Sequence, residues 1–185
     1  MKWLYPRMSW RTLRYSLGIG AIGSLVAGCY GIVHDQITYT LSPEYFTRFK
    51  FHQFAHANFG WGDRAFAGTI GFLATWWVGL IGGWLLGRTS ARKDGTLPAM
   101  KELAPSFCLV MAASALVAFF GFLYGTVRWA QSPDAWSWWR ENYGVEDLSA
   151  FARVGHIHNG SYVGGAIGTI IVVARTRRRN RTATA

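Results

Sequence analysis

AFAGTIGFLATWWVGLIGGWLLG, residues 65–87, runs without a single Asp, Glu, Lys or Arg. A helix needs ~20 apolar residues to cross ~30 Å of hydrocarbon, and a backbone in lipid must satisfy its own hydrogen bonds. The stretch is therefore predicted to be a transmembrane helix. Three more uncharged apolar stretches, 16–33, 105–127 and 155–174, have a similar length. The chain of 185 residues is 51% hydrophobic, 16% aromatic and only 15% charged, with 22 glycines. That composition suits one membrane domain better than a soluble one. The expected fold is all-α: an integral membrane four-helix bundle whose short loops make sequential neighbours antiparallel.

The net charge of +10 raises nucleic acid as a partner, and the distribution of charge argues against it. Lys2, Arg7, Arg11 and Arg14 precede the first span. Arg88, Arg92, Lys93 and Lys101 separate the second from the third, and Arg175, Arg177, Arg178, Arg179 and Arg181 follow the fourth. These segments share one side of the membrane and hold thirteen of the nineteen basic residues, while seven of the nine acids lie on the other side. That asymmetry is the positive-inside pattern, so both termini are expected in the cytoplasm. The basic tail is a topological anchor that can touch anionic lipid, and no nucleic-acid partner is expected.

The start of the chain allows a second reading. A basic segment, an apolar run and VAGC ending at Cys29 resemble a lipoprotein signal, whereas YGIV continues the apolar run to Val33 and favours an uncleaved span. Cys29 and Cys108 are expected near opposite ends of their helices, too far apart for the ~7 Å limit of a disulfide.

Small residues recur at four-residue spacing: Gly23, Ala27 and Gly31; Gly79, Gly83 and Gly87; Gly160, Gly164 and Gly168. Such ridges let backbones approach closely, either within one bundle or against another membrane protein. The third span has small residues at Ala112, Ala113, Ser114 and Ala115 and bulky ones elsewhere, and is expected to be the most lipid-exposed.

Polar chemistry gathers in the two loops predicted to face outward. Ser42-Pro43-Glu44 has the form of a helix start, with a serine cap, proline at the first position and an acid in the first turn. It predicts an aromatic interfacial helix over about 43–58. Ser132-Pro133-Asp134 repeats the device and predicts a second over about 133–143, while Asp147 can cap a helix that enters the fourth span. Along the first loop helix Glu44, Arg48, His52 and His56 follow at four-residue spacing, so Glu44 and Arg48 read as an ion pair and the two histidines as a ligand pair. All five histidines fall at this end. Imidazole with carboxylate is a ligand set suited to zinc, copper or iron, and a haem-type group is a further candidate. The candidate metal ligands are His34, Asp35, Glu44, His52, His56, His156 and His158. On a helix the two rings of His156-Ile157-His158 point ~200° apart, so at most one faces a given centre. Each candidate also has a structural reading, as a headgroup-level or helix-end hydrogen-bonding residue.

The blocks YGIVHDQITYTLSPEYFTRFKFHQF, residues 30–54, and HNGSYVGG, residues 158–165, resemble an uncharacterised family of small bacterial multi-span membrane proteins. The resemblance implies a bacterial inner-membrane setting and carries no activity, cofactor or catalytic residue.

Phosphate-cradling glycine loops, G-x-S-x-G and a cysteine paired with a histidine are missing from the sequence, so no catalytic residue is assigned. Three functional classes remain. An accessory or structural subunit would pack its small-residue ridges and Trp-rich loops against other membrane subunits or further copies of itself. A membrane metalloprotein would use the histidine and acid cluster. An oligomeric channel or transporter is the third, disfavoured because the spans lack charge near the bilayer midplane.

Overall fold

The computed structural model describes residues 8–92 and 94–182. Lys2, Arg7 and Lys93 lie outside the described residues, as do the side chains of Pro133 and Arg181. All regular secondary structure is helical, with no strand among the described residues. In order it forms α1 (Trp10–Leu41), α2 (Pro43–Tyr45), a π-turn (Phe46–Lys50), α3 (Phe51–Gln53), a 3-10 turn (Ala55–Ala57) and α4 (Asp63–Ser90). Then follow α5 (Met100–Gln131), a 3-10 turn (Pro133–Trp136), α6 (Ser137–Tyr143) and α7 (Leu148–Thr182). Four of these, α1, α4, α5 and α7, are long and apolar enough to cross a membrane.

Every long helix outruns the apolar stretch that announces it. The Ser9 hydroxyl accepts the Thr12 N–H at 3.1 Å and starts α1 well before residue 16. At the other end α1 passes through HDQITYTL to Leu41, where an extended link is expected from the sequence. Thr38 and Thr40 turn their hydroxyls back onto the carbonyls of His34 and Gln36 at 3.1 and 2.9 Å, so these polar side chains are satisfied by the helix itself. Likewise α5 begins at Met100 because the Glu102 carboxylate accepts the Ala99 N–H at 3.0 Å. Pro105 then sits inside the helix, in its second turn, where it removes the N–H that would reach the Lys101 carbonyl.

Glycines decide how the helices meet. A Cβ on Gly23 would strike the Gly79 carbonyl, one on Gly31 the Gly71 carbonyl, and one on Gly83 the Ile19 carbonyl at 2.6 Å. Rising positions on α1 meet falling positions on α4, so the two are antiparallel and zipped by glycine. On the other half Gly121 meets His156, Gly160 meets Val117 and Gly164 meets Ala113, which pairs α5 with α7 in the same way. The ridges read from the sequence are therefore used inside the chain, pair by pair. Contact between the two pairs is sparser; its polar links include the Tyr162 hydroxyl donating to the Ala74 carbonyl at 3.5 Å and the Asn180 amide donating to the Thr89 carbonyl at 2.8 Å. The third span, α5, is the least buried of the four, with 17% of its apolar window covered. Cys29 and Cys108 are both free.

Two apolar clusters close the ends of the bundle. At one end lie Ile19, Leu86, Leu103 and Val172. At the other, the turns between α1 and α4 fold over the mouth. Phe46 is fully buried, and with Tyr45 it packs on Val145, just before α7, and on Leu148, Phe151 and Val154 in its first turns. Trp139 of α6 adds to this lid against Phe49 and Phe151, with ring centroids 5.0 and 4.9 Å apart.

Candidate functional site: a buried histidine and carboxylate cluster

The continuation of α1 beyond the apolar run has a direct result. His34 and Asp35 are interior helical residues, covered by the lid, rather than the frayed end of a span. From the opposite pair, α7 begins where Asp147 accepts the Ala150 N–H at 2.9 Å, and one face of its first three turns turns inward. His158 is on that face and is 7% exposed; Asp35 is 3% exposed. One ligand atom from each of His34, Asp35 and His158 can be chosen so that all lie within 4.8 Å of one another.

Within the cluster, His158 Nε2 stands 3.9 Å from Asp35 Oδ1, beyond hydrogen-bond reach. The imidazoles of His34 and His158 meet edge to face with centroids 4.8 Å apart. Aromatic walls hold both rings: His34 stacks on Tyr30 at 5.7 Å, and His158 stacks on Tyr45 at 4.9 Å with planes 17° apart. Both Nε2 atoms are buried without a hydrogen-bond partner. An orphaned buried polar atom costs ~1–3 kcal/mol, and such atoms are uncommon enough in folded chains to ask for a reason.

Of the seven candidate ligands, His34, Asp35 and His158 come together and the other four do not. The Glu44–Arg48 ion pair read from spacing does not form. Instead the Glu44 carboxylate accepts the backbone N–H groups of Glu146 and Asp147, at 3.1 and 2.8 Å, tying the lid to the approach to α7. His52 and His56 are exposed and point away from the cluster's cleft. The cause is the π-turn, in which the Phe51 N–H reaches the Phe46 carbonyl five residues back. The extra residue sets everything after it back by about 100°, so a row drawn at α-helical spacing is broken. His156 lies on the other face of α7, between Tyr124 and Trp136 at 5.0 and 5.6 Å, and its ring closes the α5 seam.

The cluster opens into a cleft of about 100 Å³ lined by all four long helices. Sequence reading missed several residues there. Tyr30 shares a hydrogen bond with Ser161 at 3.1 Å, and Ser114 donates to the Ser161 carbonyl at 2.8 Å. Tyr30 precedes His34 by one helical turn, a signal that was available. Lys50 also lines the cleft, and no spacing rule could place it there because the π-turn aims it. Burial pulls the Lys50 ammonium below its ordinary range, and the nearby Asp35 carboxylate opposes that shift. Burial, and after it the Asp35 charge, pushes the Tyr45 phenol well above its ordinary range.

Two imidazoles and one carboxylate fit a zinc, iron or copper ion. Bonds of ~2.0–2.1 Å in a tetrahedral site place donors ~3.3 Å apart, so the three groups need side-chain shifts of about 1 Å to close on an ion. Three protein ligands would leave a further coordination position open, as catalytic sites do.

No family model, no curated protein and no solved structure matches the chain.

Proposed function

We propose that this protein is a multi-pass protein of the bacterial inner membrane that binds one transition-metal ion through His34, Asp35 and His158, with both termini cytoplasmic and the lid on the outer face. The observation that carries the reading is the pair of buried, unpartnered Nε2 atoms brought beside a buried carboxylate from helices far apart in sequence. Ionisable groups inside a membrane bundle are costly, and a bound cation supplies the missing partner for all three. The distribution of basic residues supports the orientation.

The accessory-subunit reading loses one support, because its glycine ridges are spent within the chain. Exposed aromatic residues at the lid end, Phe59, Trp61 and Trp138, still suit a protein partner or a headgroup layer. The pore reading is opposed by the apolar clusters that close both ends.

The test is metal analysis of protein purified in mild detergent without chelators. About one Zn, Fe or Cu per chain is expected, lost in His34→Ala and His158→Ala and kept in His52→Ala and His56→Ala. Wild-type protein without metal after reconstitution with each ion would end the proposal.

A further inference from the structure

Below the cluster the cleft continues between the two helix pairs, and its walls change character from polar to apolar. On α4 its lining runs from Ile70 to Leu86, about 24 Å at 1.5 Å per residue. The centre of a water-sized sphere can occupy about 100 Å³ of it; drawn out over such a length, with the ~1.4 Å radius of the sphere added, that is a channel about 5 Å across, suited to one chain and not to two. We propose that this cleft admits a single-tailed, neutral-headed lipid of the quinone type, with its tail between the pairs and its head oxygens at His34 and His158. The inference rests on the reading of this cluster as a ligand site: the same two Nε2 atoms take either an ion or the head oxygens, so the lipid enters the metal-free site.

Two glycines make the space. The ridge glycines are filled by a neighbouring backbone, so a methyl group there would collide. Gly82 and Gly165 are different: a Cβ on Gly82 would find Thr169 at 3.4 Å, and one on Gly165 only the Ser114 hydroxyl at 3.8 Å. Both line the cleft. Neither is needed for close packing, yet in a helix each costs ~1 kcal/mol relative to alanine. Room for a tail accounts for them.

The head is identified by what the polar end can and cannot hold. An imidazole Nε2 donates to a carbonyl in one tautomer and accepts from a hydroxyl in the other, so two such atoms suit both the quinone and the quinol. The Tyr30 hydroxyl adds a third adaptable partner. A phosphate or carboxylate head would instead meet Asp35, and Lys50 alone among the cleft's described residues carries a cation to offset it.

The experiment uses the full chain in lipid nanodiscs, stripped of metal by chelator, with empty nanodiscs to subtract partitioning, and decylubiquinone as the probe. Saturable binding near one per chain is expected. Gly82→Leu and Gly165→Leu fill the cleft away from the three ligands and should weaken it at least tenfold, without changing the metal content of the protein before chelation. Gly82→Ala and Gly165→Ala should bind as wild type. If the leucine variants fail to fold by circular dichroism, Val78→Phe blocks the same cleft. Palmitate and lysophosphatidylcholine should not compete; competition by either overturns the assignment of the head. Absence of saturable binding in the wild type, or undiminished binding in the blocked variants, overturns the proposal. Because metal is measured on the same preparations before chelation and after reconstitution, a protein that takes up no metal yet binds the quinone overturns the metal reading alone.

Discussion

Replacing His158 by Phe separates a ligand from a structural histidine by a reversal of sign. The variant keeps a ring against Tyr45, at 4.9 Å in the wild type, and against His34 at 4.8 Å. It removes a buried Nε2 that has no partner, relieving ~1–3 kcal/mol of desolvation. Little is lost toward Asp35, because 3.9 Å exceeds hydrogen-bond length. Phenylalanine is larger, and strain from the added volume offsets part of the relief; the adjoining cleft takes up the rest. The expected net result is a metal-free variant about 1 kcal/mol more stable than the wild type, or roughly 2–4 °C in Tm for a chain of this length. Metal at a hundredfold excess over Kd adds ~2.7 kcal/mol to the wild type alone, which then leads by roughly 1–2 kcal/mol. Thermal unfolding in detergent, followed by circular dichroism with chelator and then with metal, reads both signs. If the variant is the less stable protein in chelator, and metal leaves the order unchanged, His158 is structural and the ligand argument fails.

Gly164→Ala and Gly165→Ala are adjacent and chemically identical changes with opposite expected effects. The first drives a methyl toward the Ala113 carbonyl and to 2.8 Å from the Ser114 Cα, and overpacking of that kind costs ~1–3 kcal/mol. The second meets only the Ser114 hydroxyl, at an ordinary contact distance of 3.8 Å, and gains up to ~1 kcal/mol of helix propensity; equal effects on unfolding would refute the packing account. Glu44→Gln weakens the charge-assisted acceptor that holds the Glu146 and Asp147 amides, so faster hydrogen exchange at those two amides is expected, with the helix-pair seams unchanged. Lys50 supplies a pH test. Its pKa is lower folded than unfolded, so the unfolded state binds more protons between the two values and stability rises with pH across that window, up to the ordinary lysine value of ~10.4. Lys50→Met should abolish that rise, measured as the difference in unfolding between neutral and alkaline pH.

The four long helices were legible because uncharged runs of about 20 residues have few other uses. Their true ends were not. HDQITYTL reads as a polar link by composition, and it is helical because its threonines bond back to the helix and its Asp35 finds cover under the lid. The glycine spacing announced close approach but not which helices approach, since a ridge carries no label for its partner. The same limit applies to the cluster. His34, Asp35 and His158 stood within a longer list of candidates, and choosing among them required the π-turn at Phe46–Lys50, which rotates His52 and His56 away and which side-chain periodicity does not encode. Lys50 escaped notice for the same reason.

The division of the bundle into two glycine-zipped hairpins sets the order in which the site can come into being. Each hairpin is contiguous in the chain and can insert and close by itself, α1 with α4 before α5 and α7 have left the ribosome. Asp35 and His34 belong to the first hairpin and His158 to the second, so neither hairpin alone owns a site. Binding at the proposed site would then report that the halves have docked, and a chain cut in the segment between Ser90 and Met100 would carry that report as a complementation signal.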